Sequence, residues 1–83
     1  MSIGGENADR TIVEKALGRA QTNLGQVAHP ENLGSDDRAA YNQALSLLTA
    51  AQQAEKQGDY LAASSLAQKA AILSDRFNGY TTP

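Results

Sequence analysis

No cysteine occurs in this 83-residue chain, which excludes disulfides, thiolate zinc sites and a thiol nucleophile. That absence is compatible with any compartment. Tryptophan is also missing, and histidine occurs once, as His29. A lone imidazole needs an orienting or ligating partner before it can catalyse or hold a metal. Beside Pro30, His29 reads as a polar residue at the end of a helix. No apolar run approaches the roughly 20 residues that span a bilayer, so membrane insertion is not expected. No sign of charge dominates either. Seven basic and nine acidic residues leave a formal net charge of −2, which gives no electrostatic reason to bind nucleic acid. Met1-Ser2-Ile3-Gly4-Gly5 has no apolar segment of the kind a signal peptide carries. The expectation is a cytoplasmic chain, or a mature segment given a new start.

What the chain does contain is alanine and leucine at helical spacing. Residues 1–6 read as a flexible tail, because Gly4-Gly5 costs much chain entropy to order. A first helix is expected over about residues 8–28, capped by Asn7 or Asp9. Its apolar stripe is Val13, Ala16, Leu17, Ala20, Leu24, Val27 and Ala28. Gly18 and Gly25 lie within it, each costing roughly 1 kcal/mol against alanine. They stand seven apart on one side. They form either an exposed face or a flat seam where another helix approaches. His29-Pro30 closes the helix, since proline cannot continue the ladder and disfavours α geometry in the residue before it. His29–Gly34 is then a loop, in which Leu33 can plug the end of the core.

Ser35 is the expected cap of a second helix, with Asp36 and Asp37 at its positive end. Its stripe is Tyr41, Ala44, Leu45, Leu48, Ala51 and Ala54, with Leu47 at the edge. Gly58 supplies the left-handed residue that commonly ends a helix. Asp59 caps a third helix running from about Tyr60 to Arg76 or Phe77. Its stripe is Tyr60, Ala63, Leu66, Ala67, Ala70, Leu73 and Phe77, broadened by Ala71 and Ile72. Ser64 and Ser65 read as solvent-facing. Gly79 is a plausible stop, and residues 79–83 a tail in which Tyr80 is loose or a small anchor for a partner. Short connections make neighbouring helices antiparallel, so the fold class is all-α, an antiparallel three-helix bundle forming a single domain.

The second hairpin carries Gly58, Tyr60, Ala63 and Ala70 as Gly-Asp-Tyr-x-x-Ala-x-x-x-x-x-x-Ala. In this it resembles a tetratricopeptide (TPR-like) repeat over roughly residues 44–75. In that family the glycine and aromatic form the turn, and the alanines let the two helices pack closely. The sequence departs from the pattern at Ala67, where a larger aromatic is usual, and at Asp75, where a proline often ends the repeat. The first helix is not a second copy. One repeat makes no solenoid and no concave groove. The same hairpin is similar to small Ala-rich helical domains of bacterial envelope proteins, so the resemblance implies a cell-envelope location as an alternative to the cytoplasm.

No nucleophile–base constellation appears, and no cofactor or metal is expected. Asp36 and Asp37 are adjacent in a first turn and point different ways. They read as dipole-favouring residues, not an acid/base pair. The seven basic residues are too scattered for a DNA-reading face. The reading is therefore a non-enzymatic protein–protein interaction or structural module, acting through helix-face packing on a protein partner or on a second copy. The expected interaction residues are Gly18, Thr22 and Gly25, with Leu47, Ile72 and Tyr80. The alternative is a small-molecule or ion-binding module using the 29–37 loop.

Overall fold

A computed structural model describes the backbone of residues 3–80 and the side chains of residues 9–80. Residues 1, 2 and 81–83, expected as parts of tails, lie outside the described residues. Three helices follow in order: α1 (Ile3–Gly25), α2 (Ser35–Lys56) and α3 (Tyr60–Ser74). A 3-10 turn at Pro30–Asn32 lies in the first connection, and another at Asp75–Phe77 extends α3. This is the all-α three-helix bundle. It is elongated, 51 × 19 × 16 Å, longer than the roughly 35 Å of its longest helix.

The hairpin turn forms for the anticipated reasons. Gly58 has φ +79°, a conformation that side chains rarely adopt. The Asp59 carboxylate accepts the Ala62 amide N–H at 3.1 Å and caps α3. Gly79 also has positive φ, at +74°, where the chain leaves the bundle.

Several helix ends differ from the sequence reading. α1 begins at Ile3, so Asn7 and Asp9 lie inside the helix and not at its start. Extending an existing helix needs no new nucleus, which lets it run through Gly4-Gly5 despite their weak propensity. At the other end α1 stops at Gly25, short of Ala28. The chain tightens there, with Gln26 and Val27 amides donating to the carbonyls of Asn23 and Leu24. That turn keeps Val27 buried and leaves Ala28 exposed. Gly34, not Ser35, occupies the cap position of α2, and no side chain caps it.

α3 is the centre of the bundle. It packs extensively on both α1 and α2, whereas α1 and α2 touch each other less. It runs parallel to α1: Arg10 reaches Tyr60, and Asn23 reaches Ser74. The core is thin. Val13, Phe77 and Ser74 are the largest fully buried side chains, and the rest is mostly alanine with a few leucines. Phe77 plugs one end of the bundle, meeting Tyr41 and Tyr80 edge-on at 5.9 and 5.8 Å between ring centroids. Leu33 is buried, as its place in the loop predicts.

Three details of the stripes are corrected. On α2, Leu47 is half-buried against the core and Leu45 is exposed, the reverse of the expected order. Leu47 lies about 60° round the helix from Ala44, and Leu45 about 100°. On α3, Ile72 does not broaden the buried face. It is 67% exposed, because a residue two positions beyond Ala70 points to the opposite side. Ser64, expected in solvent, is buried. It shares with Ala71 and Asp75 the flank of α3 beside α1. A helix covered by two neighbours buries a wider arc than a single stripe.

Candidate functional site

Several polar side chains tie one element of the bundle to another. Arg19 of α1 clasps the Asp75 carboxylate with Nε at 2.8 Å and with Nη2. The Asn23 amide donates to Ser74 Oγ at 3.1 Å and to Asp75 Oδ1 at 3.0 Å, and Ser74 Oγ donates to the Ala71 carbonyl. Hydrogen bonding to Arg19 holds the Asp75 carboxyl below its ordinary range, helped by the guanidinium charge and Asn23 and opposed by desolvation. The same partner raises the Arg19 pKa. At the far end, Arg10 lies over the Tyr60 ring at 4.9 Å and donates to its hydroxyl at 3.1 Å.

The 29–37 loop is used in the same way. His29 Nδ1 faces Glu31 Oε2 at 3.3 Å, Arg38 donates to the Glu31 carbonyl, and Arg76 pairs with Asp37 at 3.1 Å. Hydrogen bonding to its own backbone amide, then His29, lowers the Glu31 pKa against a desolvation penalty. Four of the seven basic residues, Arg10, Arg19, Arg38 and Arg76, thus make intramolecular contacts. Among the described residues, no group of three or more His, Cys, Asp or Glu is placed to hold a metal ion. No described helix is long and apolar enough to cross a membrane.

The residues expected to form an interaction face fall into two sets. Gly18, Thr22 and Gly25 are exposed along the outside of α1. A Cβ added at either glycine would meet nothing within 4 Å, so no helix of this chain depends on their lacking side chains. Leu47 and Tyr80 instead pack against the core, Tyr80 on Phe77, so Tyr80 is part of the bundle's end and not a loose tail. Ile72 stands in solvent.

The sequence reading passed over Leu61, which is 76% exposed. The signal was present: Leu61 and Ile72 are eleven positions apart, three turns to within about 20°. They share the side of α3 opposite Ala63, Ala67 and Ala70. A shallow cleft of ≈ 230 Å³ runs beside this side, lined by Ile12, Lys15, Ala16, Arg19 and Gln68. A second depression lies wholly on α2, along Leu45, Ser46, Thr49, Ala50 and Gln53. Lined by one helix, it is surface relief and not an enclosed pocket. Asn23 and Ser74 were also passed over, although Asn23 falls on the buried line between Ala20 and Val27.

No protein-family model, curated protein or solved structure matches this chain. The candidate site therefore rests on the chain's own geometry: two exposed helix faces, poor in charge, carrying large aliphatic side chains.

Proposed function

We propose that this protein is a non-enzymatic interaction or structural module that works by presenting the outer faces of α2 and α3 to another protein. One observation carries the reading. From Ala39 to Ala54 no residue is charged, and α3 carries only Lys69, while Leu45, Leu61 and Ile72 stand exposed on these helices. Centres of protein–protein interfaces are depleted of charge in this way, whereas ordinary solvated helix faces carry it freely. The TPR-like turn at Gly58-Asp59-Tyr60 fits this role, since it sets two helices side by side without a ligand. The alternative, ligand capture by the 29–37 loop, has less support. There Glu31 and Asp37 already meet His29 and Arg76. A metal-dependent rise in melting temperature would favour that alternative.

The test places a photo-crosslinking amino acid, one position at a time, at Ser46 on α2, Ser65 on α3 and Thr22 on α1, in the protein's native cells. Adducts of defined mass from Ser46 or Ser65, identified by mass spectrometry and absent from Thr22, are the expected result. Adducts from Thr22 alone would move the surface to the glycine face of α1. No adduct from any position would sink the interaction reading.

A further inference from the structure

The outer face of α3 has an order of its own. Leu61, Ser65, Gln68 and Ile72 follow in steps of four, three and four, the spacing of a coiled-coil seam. All four are exposed, Leu61 at 76% and Ile72 at 67%. The seam reads apolar, polar, polar, apolar, and is the same in either direction about a point between Leu66 and Ala67. A two-fold contact between identical chains needs such a patch, in which one residue meets a second and that second meets the first.

Resting on the reading above that α3 is an interaction surface, we propose that its occupant is α3 of a second copy, running antiparallel. In that arrangement Leu61 of one protomer meets Ile72 of its partner at both ends of the seam, and Ser65 meets Gln68 at both inner positions. The large aliphatic groups leave water, while the amide and hydroxyl of the inner layer can pair with each other. No seam residue is charged, so apposing the face to its own copy sets no like charges against each other there. The α3 charge, Lys69, stands at the edge; on the α1 flank Arg19 is paired with Asp75, and Lys15 lines the cleft beside Gln68 on a long stem that can turn its ammonium to solvent.

The seam is short, and interfaces of small area are weak and transient. The association should therefore be a concentration-dependent dimer and not an obligate one. Nor is it needed to complete the fold, since the buried cluster is formed within one chain.

Sedimentation equilibrium on the full chain, from about 5 μM to 1 mM, tests this. The wild type, L61E/I72E and S65E/Q68K are compared, with circular dichroism to verify that all three remain helical. A wild-type dimer that is lost in L61E/I72E and retained in S65E/Q68K is expected, because antiparallel pairing sets each new glutamate against the partner's new lysine and leaves the aliphatic contacts in place. Loss in both variants would overturn the antiparallel order, since parallel pairing sets like charges together. A dimer that persists in L61E/I72E would overturn the choice of face. A wild-type monomer throughout would overturn the second copy as occupant. The interaction reading itself would then still be decided by whether the crosslinks at Ser46 and Ser65 capture a different protein.

Discussion

The two sides of α3 invert the usual distribution of size. The side turned inward carries Ala63, Ala67 and Ala70, each fully buried, while the side turned outward carries Leu61 and Ile72, the two most exposed large aliphatic residues of the described chain. An amphipathic helix ordinarily hides its largest apolar groups. Here α3 lies against two helices at once, and small side chains are what let both come near. The cost is a core with little apolar area in it, in a chain short enough for such a deficit to matter. The difference teaches that burial in this bundle is set by proximity and not by hydrophobicity.

The sharpest break in that comparison is Phe77→Ala. Phe77 is the large exception on the buried side, and its loss should cost about 3–5 kcal/mol, enough to leave so small a domain largely unfolded. Urea denaturation followed by circular dichroism measures it. Next is Ala67→Leu, which adds volume where there is none and should cost about 1–3 kcal/mol by the same assay, with Ala67→Gly as a control that adds no bulk. An unchanged midpoint for Ala67→Leu would show that α3 is not tightly held between its neighbours.

A smaller effect is expected on the α1 flank of α3. Ser74→Ala removes a hydroxyl that is fully buried between Asn23 and Ala71, at a cost of about 1 kcal/mol. Asp75, beside it, adds a pH dependence. Its folded pKa lies below the ordinary 3.8, so its contribution is fully present above that value and is lost as pH falls through the lower folded pKa. Thermal melts should therefore show the wild type losing its advantage over Asp75→Asn below about pH 4. A gap that stays constant into acid would refute the clasp by Arg19.

The smallest effect belongs to the outer side. Leu61→Ser and Ile72→Ser should each shift the stability of dilute protein by less than about 0.5 kcal/mol. A larger loss at low concentration would mean that these residues support the fold of the single chain, and the contrast between the two sides of α3 would fail.

Much of this architecture was legible beforehand. Glycine, aspartate and tyrosine at 58–60 specify a stop, a cap and a restart through backbone conformation and one hydrogen bond, which are local events. The alanine lines of α2 and α3 show their periods because repeated burial selects the same face at every turn. The buried line from Val13 in α1 to Val27 just beyond its end was equally plain. What failed was partly local: the cap of α2 at Gly34, the end of α1 at Gly25, and its start at Ile3, where an established helix carries weak formers along. The exchange of Leu45 for Leu47, the burial of Ser64 and the exposure of Ile72 depend on where two other helices lie.

By itself, then, the sequence determined three helices, their turn and most of the apolar residues that are buried, because capping, left-handed glycine and periodicity act within a few residues. Only the tertiary structure decided which apolar side chains stay outside. A helix has more apolar residues than its neighbours can cover, and the directions from which α1 and α2 reach α3 leave Leu61 and Ile72 uncovered.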